Sequence, residues 1–213
     1  MADPTAAALK RIFDRLLAAY GHQHWWPADS PFEVCVGAVL TQNTAWPNVE
    51  RAIANLKAAG RLDPARLLAL TEPALARLIR PAGCPNVKVR RLLALVRWLH
   101  DQGGLDALRH RPTAPVRAGL LGVHGVGAET ADSILLYALG RPSFVVDAYT
   151  RRILSRYGLA RGDEPYDRLK AMFERALPPD ARRFNEFHAL LVRLARTHCR
   201  ARALCPGCPL EAD

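Results

Sequence analysis

The residues best suited to chemistry in this chain are a glycine turn and a carboxylate that follows it. Gly125-Val126-Gly127 stands directly before a helical segment that begins with Ala128 and includes Thr130. Glycine lets neighbouring backbone N–H groups converge on an anion, so the turn predicts a phosphate site. About one helix further on, Val145-Val146 leads to a lone carboxylate, Asp147. Such a carboxylate could stabilise developing positive charge or orient an attacking water.

Both features also have ordinary structural interpretations. Gly-x-Gly before a helix is a common turn, and Asp147 could simply be a helix N-cap. A dinucleotide site is excluded, because that motif must follow a β-strand and no alternating β-branched run precedes Gly122. Residues 116–121 and 128–139 have helical patterns instead, which predicts a helix-hairpin-helix unit.

The second chemically suited group is a set of thiols near the C-terminus. Cys199, Cys205 and Cys208 are separated by five and then two residues. The N-terminus shows no basic segment followed by an apolar stretch, and no apolar run is long enough for a membrane span. We therefore expect a cytoplasmic protein that does not enter a membrane. In that compartment clustered cysteines indicate a metal site rather than disulfides.

Composition favours a polyanionic partner. The 213 residues include 30 Lys and Arg against 20 Asp and Glu, a net charge of +10, and half of the chain is hydrophobic. A surplus of this size is typical of nucleic-acid binding, although charge alone leaves DNA, RNA and anionic membranes open. The hydrophobic share is enough for a substantial core.

The elements that must position these residues are helices. Apolar residues recur at helical spacing over 5–20, 145–157 and 166–177, and Ser30-Pro31, Asp63-Pro64 and Asp180 provide helix starts. No stretch alternates long enough for a sheet. The pattern predicts an all-α fold of roughly ten short helices.

Several motifs then occur in a familiar order: His24-Trp25-Trp26-Pro27, Phe32-Glu33, the segment 36–44 and the segment 127–132. With the hairpin and Val146-Asp147, they resemble the helix-hairpin-helix (HhH-GPD) DNA glycosylases of the endonuclease III superfamily, most of all the 3-methyladenine DNA glycosylase III branch. The resemblance implies a two-lobed fold with a six-helix barrel domain over 23–133. Residues 1–22 plus 134–213 would form the second helical domain with an iron–sulfur loop. It further implies a monomer that binds double-stranded DNA and flips a damaged base.

The resemblance also assigns the chemistry. Asp147 matches the essential aspartate of these enzymes. Bifunctional members place a lysine at position 129, whose amine forms a Schiff base, whereas this chain has Glu129. Glu129 cannot form that imine, so the resemblance implies a monofunctional glycosylase. Glu129 could also be a first-turn residue that complements the helix dipole.

The resemblance places a base pocket at Trp25, Trp26, Pro27 and Trp46, where a cationic methylated purine could stack. At least one of the adjacent tryptophans could instead be a core anchor. Gln42 would fill the hole left in the duplex, and the turn containing Cys84 and Asn86 would wedge into the opposite strand. Further DNA contacts are expected from the residues of the hairpin and from basic side chains, namely Gly125, Gly127, Thr130, Lys88, Arg90, Arg91, Arg151 and Arg152.

For the cysteines, the endonuclease III pattern implies a [4Fe-4S] cluster held by four thiols. That pattern would put the fourth ligand beyond residue 213, at position 214, so we expect the natural chain to continue. His198, a solvent ligand or a zinc site are the alternatives. The 3-methyladenine branch lacks this loop, so two other functions stay open. They are an endonuclease III-like glycosylase for oxidised pyrimidines with weak lyase activity, and a non-catalytic protein that binds DNA lesions.

Overall fold

The computed structural model describes residues 4–211, and in that part of the chain it contains twelve α-helices. In chain order the helices are Pro4–Tyr20 (α1), Pro31–Leu40 (α2), Trp46–Ala58 (α3), Pro64–Leu68 (α4), Glu72–Ile79 (α5), Pro85–Asp101 (α6), Gly104–Arg109 (α7), Thr113–Leu121 (α8), Ala128–Ser133 (α9), Ala148–Arg156 (α10), Tyr166–Ala176 (α11) and Ala181–Thr197 (α12). A 3-10 turn follows α5, and a π-helical turn, Ile134–Ala138, continues α9. The predicted all-α class is confirmed.

Local capping chemistry sets many of the helix starts. The Ser30 hydroxyl accepts from the Glu33 N–H at 3.1 Å, and the Asp180 carboxylate accepts from the Arg182 N–H at 2.8 Å. Asp63 and Thr71 cap α4 and α5 in the same way. These side chains satisfy N–H groups that a helix leaves without intrahelical partners. Within residues 4–211, no helix combines the length and apolar character needed to cross a bilayer.

The described residues divide into two compact units, one of residues 4–27 with 141–211 and the other of residues 28–140. The sequence interpretation placed these boundaries after residues 22 and 133. The later boundary has a clear cause, because the turn Ile134–Ala138 packs on α2 and so stays with the middle segment. The π turn itself carries four buried residues, Ile134, Leu135, Leu136 and Ala138.

The 28–140 unit, which we call the hairpin unit, is built around α2. Every residue from Phe32 to Leu40 is buried, and α3, α6 and α9 pack against this helix. The hairpin joins α8 to α9, and Arg117 ties these two helices together. Its guanidinium donates to both oxygens of Asp132 at 2.9 and 3.0 Å, and Asp132 is fully buried. A bidentate pair of this kind fixes geometry as well as charge.

The other unit, which we call the aspartate unit, has an aromatic core formed by Phe144 with α11 and α12. The rings of Phe144 and Phe173 stack at 3.8 Å, and Phe184 and Phe187 meet Phe144 edge-on. Phe144 lies three residues before Asp147, so its burial anchors the segment that presents the carboxylate. The sequence predicted a helix from residue 145, which is wrong by three residues. Val145 and Val146 are buried outside any helix, and α10 begins at Ala148 because Asp147 is its N-cap.

Candidate active site

Asp147 is held at the start of α10 by one of its two carboxylate oxygens. Oδ1 accepts from the Thr150 backbone N–H at 2.7 Å and from the Thr150 hydroxyl at 2.9 Å. The N-cap interpretation of Asp147 is therefore confirmed. The cap leaves Oδ2 for other partners, and the side chain keeps 14% of its surface exposed. An N-cap role and a chemical role are compatible, because they use different oxygens.

The second oxygen of Asp147 faces a histidine that the sequence analysis did not identify. Nε2 of His188, on α12, lies 3.6 Å from Oδ2, and both side chains are largely buried. Burial raises the pKa of Asp147. The nearby His188 and the Thr150 hydrogen bonds outweigh that effect and leave the pKa lowered overall. The carboxylate is therefore ionised at neutral pH. The sequence signal for this contact is a single histidine within the apolar run from Phe187 to Val192.

The hairpin turn needs glycine at one of its two positions. Gly125 has a φ of +81°, and a Cβ there would lie 2.1 Å from Cγ of Arg91 on α6. Gly127 has a φ of −87°, and a Cβ there would meet nothing within 4 Å. Gly125 is thus required by conformation and by packing, whereas Gly127 faces open space.

Four of the predicted DNA contacts, Gln42, Gly125, Thr130 and Arg91, meet in one network within the hairpin unit. The Gln42 amide Nε2 donates to the Gly125 carbonyl at 3.0 Å and to the Thr130 hydroxyl at 3.1 Å. Nη1 of Arg91 donates to Oε1 of Gln42 at 2.6 Å. The amide is bonded at both ends, so Gln42 would exchange these bonds if it entered a duplex. The hole-filling role of Gln42 stays a prediction.

Glu129 and the predicted pocket residues are divided between the two units. Glu129 is exposed in the first turn of α9, and Trp46 opens α3 with its indole N–H donating to Glu50 at 2.8 Å. In the aspartate unit, Trp25 and Trp26 are half-buried and meet edge-on with ring centroids 5.5 Å apart. Pro27 follows them and is exposed. Each group presents part of its aromatic or apolar surface, as a stacking site requires.

The turn before α6 supports one prediction and corrects another. Cys84 has a left-handed backbone, with φ 45° and ψ 52°, and both Cys84 and Asn86 are exposed. Lys88, by contrast, is 4% exposed, and its ammonium donates to the Leu40 carbonyl at 2.8 Å and the Ala82 carbonyl at 2.6 Å. The prediction that Lys88 contacts phosphate is wrong. The Lys88 ammonium binds the carbonyl groups at the C-terminal ends of α2 and of the 3-10 turn, and burial lowers the pKa of this side chain.

The three C-terminal cysteines line one cavity of about 460 Å³ in the aspartate unit. Apolar side chains, among them Ile153, Leu194 and Leu204, share its wall with His198. Among residues 4–211, no three potential ligands stand close enough together to hold a metal ion. The donor type and the apolar lining nevertheless fit an iron–sulfur group.

Helix α10 also holds the backbone around these cysteines. Arg152 donates to the Cys199 carbonyl at 2.7 Å. Arg156 donates to the carbonyls of Arg200 and Ala201 at 2.6 and 2.7 Å, and its Nη1 lies 3.4 Å from Sγ of Cys199. Helix α10, which Asp147 caps, therefore carries the two arginines that hold the backbone of the cysteine loop.

Comparison with known proteins places the chain in a family. The model for the HhH-GPD superfamily base excision DNA repair protein matches residues 36–179, more than half of the chain. The chain belongs to this superfamily, which confirms the resemblance inferred from its motifs. A candidate DNA repair glycosylase of Methanocaldococcus jannaschii, MJ1434, is 48% identical over 204 residues, covering 94% of this chain and 93% of that protein.

More distant relatives fall in two branches. Endonuclease III of Thermotoga maritima is 28% identical and covers 85% of this chain, with 81% of its own length matched. The structure of H. pylori 3-methyladenine DNA glycosylase (MagIII) bound to 1,N6-ethenoadenine aligns with a TM-score of 0.74 at 28% identity, covering 90% of this chain and 97% of that one. A non-covalent endonuclease III–DNA complex aligns with a TM-score of 0.81 at 24% identity, covering 96% and 92%. This last likeness concerns the fold alone.

Proposed function

We propose that this protein is a monofunctional DNA glycosylase that removes alkylated purines from double-stranded DNA. The observation that carries the proposal is the carboxylate of Asp147. It is ionised, mostly buried and fixed through Oδ1, and its second oxygen is not used by the helix cap. The expected setting is base excision repair in the cytoplasm, with the protein acting as a monomer.

The reaction suits a site with one carboxylate. Water forms a bond to C1′ of the sugar, the N-glycosidic bond breaks, and its electron pair leaves with the base. The sugar becomes positively charged in between, and the negative charge of Asp147 stabilises it. A proton of the water passes to the carboxylate or to solvent. A cationic methylated purine departs as a neutral base, so it needs no general acid.

The residue at position 129 supports hydrolysis without strand cleavage. Glu129 stands in the first turn of α9, directly after the hairpin. A Schiff base needs an amine, which a carboxylate does not offer. The product of the proposed reaction is therefore an abasic site in an intact strand.

We propose an alkylated purine as the substrate for two reasons: the exposed aromatic surface and the similarity of this chain to a 3-methyladenine glycosylase. Trp25, Trp26 and Trp46 each show part of an indole ring, and a cationic purine stacks favourably on such an electron-rich face. The similar 3-methyladenine glycosylase of H. pylori has a structure bound to 1,N6-ethenoadenine, a modified adenine. We propose Pro27, which is exposed, as a further contact for the base.

Duplex binding is assigned to the hairpin unit and to the net charge of +10. Gly127 faces open space, so its backbone can approach a phosphate. The exposed turn with Cys84 and Asn86 would wedge between bases of the opposite strand, and the network of Gln42, Gly125 and Thr130 lies beside the hairpin.

The cysteine cavity is assigned to a [4Fe-4S] cluster with Cys199, Cys205 and Cys208 as ligands. When bound, the cluster supplies a rigid cross-link for a loop that has little core of its own. His198 lines the same cavity, and its Nδ1 lies 3.0 Å from both the Tyr20 and Thr197 hydroxyls. If His198 were a ligand it would use Nε2.

A second candidate is an endonuclease III-like glycosylase for oxidised pyrimidines. Its support is the 28% identity with endonuclease III of Thermotoga maritima over 85% of this chain, together with the cysteine loop. A protein that binds lesions without turnover is the third possibility, and the fixed carboxylate of Asp147 speaks against it.

One assay separates the three functions. The protein is incubated with duplexes that carry 3-methyladenine, thymine glycol or uracil, and the strands are analysed with and without hot alkali. Cleavage of the methyladenine strand only after alkali supports the proposal, and Asp147→Asn should abolish it while leaving duplex affinity largely intact. Direct nicking at thymine glycol would favour the second candidate. Binding without any product would favour the third.

A further inference from the structure

We propose that His188 is a positioning residue for Asp147, holding the carboxylate so that one acceptor direction of Oδ2 is left for the sugar or the attacking water. This inference rests on the proposed catalytic function of Asp147. It concerns a residue that the sequence motifs do not single out. The basis is the arrangement of the carboxylate, α10 and α12 within the aspartate unit.

An ionised carboxylate has about four acceptor directions, two on each oxygen. Thr150 takes two of them at Oδ1 through its backbone N–H and its hydroxyl. His188 Nε2 stands 3.6 Å from Oδ2, a charge contact longer than a normal hydrogen bond, and flanks that oxygen on one side. Oδ2 thus keeps acceptor capacity, and 14% of the side chain is exposed. The two Thr150 hydrogen bonds and the charge contact with His188 together restrict rotation of the carboxylate.

His188 is itself fixed by the core, as a positioning residue must be. Its side chain is 7% exposed, and its ring meets Phe144 edge-on at 6.5 Å. Phe144 is stacked on Phe173 and belongs to the segment that leads to Asp147. Helices α10 and α12 pack on each other. Asp147, at the start of α10, and His188, on α12, are therefore positioned by two packed helices, which favours precise geometry.

The histidine also offsets the cost of keeping a buried carboxylate charged. Burial favours the neutral acid, and His188 acts in the opposite direction from 3.6 Å away. Removing His188 should therefore have two effects on Asp147. The carboxylate gains rotational freedom, and its ionised form becomes harder to maintain.

Three variants test this role. His188→Phe keeps a ring against Phe144 and removes both nitrogens, and His188→Gln restores an uncharged donor. His22→Phe is the matched control. His22 also pairs with a carboxylate of α12, but its partner is Glu186, at 3.2 Å, and it is 71% exposed. The measurements are the single-turnover excision rate on methylated duplex and the affinity for a duplex with a stable abasic analogue.

We expect His188→Phe to lower the excision rate about 10- to 100-fold, with duplex affinity changed by less than about 2-fold. His188→Gln should recover most of the rate, and His22→Phe should match the wild type. The inference is overturned if His188→Phe excises at the wild-type rate, or if rate and affinity fall by the same factor in both His188 variants.

If His188→Phe folds poorly, its excision rate cannot be interpreted, and a measurement that does not depend on excision replaces it. The carboxyl carbon of Asp147 is titrated by NMR in the wild type and in His188→Gln. The inference expects a higher pKa for Asp147 in the variant, and an unchanged pKa would overturn it. A failure of the proposed function looks different: Asp147→Asn would then excise as well as the wild type, and the role of His188 would fall with it.

Discussion

Arg91 packs so closely on Gly125 that no side chain fits between them. A Cβ at Gly125 would lie 2.1 Å from Cγ and 2.6 Å from Cδ of Arg91, and the same arginine donates to Gln42, which in turn bonds the Gly125 carbonyl. The hairpin turn at Gly125 is therefore held by Arg91 of helix α6 and by Gln42 in the loop after α2. The hairpin conformation depends on tertiary contacts as much as on its own glycines.

The two hairpin glycines should consequently respond differently to alanine. Gly125→Ala adds a methyl at positive φ and against Arg91, so we expect it to lower the free energy of unfolding by about 2–4 kcal/mol. Gly127→Ala has space and an ordinary φ, and its effect on stability should stay within about 1 kcal/mol. Urea denaturation compares the two variants. Equal stabilities would contradict the clamped turn.

Lys88 should contribute to stability and not to DNA binding. Lys88→Met leaves the carbonyls of Leu40 and Ala82 without their charged donor, which should cost about 1–3 kcal/mol of unfolding free energy. The slope of duplex affinity against salt concentration should stay the same, because a buried ammonium neutralises no phosphate.

Arg90 provides the comparison for Lys88, since it is exposed on the same helix and remains a predicted phosphate contact. Arg90→Met should reduce the logarithmic salt slope by about 1 and leave stability nearly unchanged. If Lys88→Met lowered the slope instead, the assignment of Lys88 to the interior would be wrong in solution.

The lowered pKa of Asp147 predicts how the contribution of this residue to stability varies with pH. A carboxyl group whose pKa is lower in the folded state stabilises the fold above its unfolded pKa, and it loses that contribution as the pH falls through the folded value. The stability difference between the wild type and Asp147→Asn should therefore be largest near about pH 7 and shrink towards about pH 3. Urea denaturation across this range measures it, and a difference that grows in acid would have the wrong sign.

Arg156 should be needed for metal incorporation at the cysteine loop. Its guanidinium binds the carbonyls of Arg200 and Ala201 and approaches Sγ of Cys199, so Arg156→Met should loosen the loop. We expect the wild type to purify brown with iron and sulfide. The variant should hold less than about half as much iron, since losing partners around a metal site typically costs 10–100-fold in affinity.

Arg151 is the matched control for Arg156. It lies on the same helix and also donates to a carbonyl, that of Glu164 at 2.6 Å, but away from the cysteines. Arg151→Met should keep the wild-type iron-to-protein ratio. Equal loss of iron from both variants would indicate general damage to α10, and a colourless wild type containing zinc would refute the iron–sulfur assignment.

Much of the fold was predictable because helices are specified locally. Apolar periodicity and caps such as Ser30, Asp63 and Asp180 lie within a few residues of the groups they organise. The glycine hairpin, the N-cap option for Asp147 and the family motifs were visible for the same reason. The start of α10 was misplaced because apolar Val145 and Val146 continue the helical pattern, while burial and the cap of Asp147 define the actual boundary.

Only the tertiary structure decided which polar groups meet. His188 faces Asp147 across 41 residues of sequence, and Gln42 reaches Gly125 across 83. Lysine is a side-chain type that commonly binds phosphate, yet helix packing turns Lys88 inward onto two carbonyls. Sequence patterns determine which face of each helix is apolar. The partner that a polar side chain finds depends on how those faces pack, which no local spacing encodes.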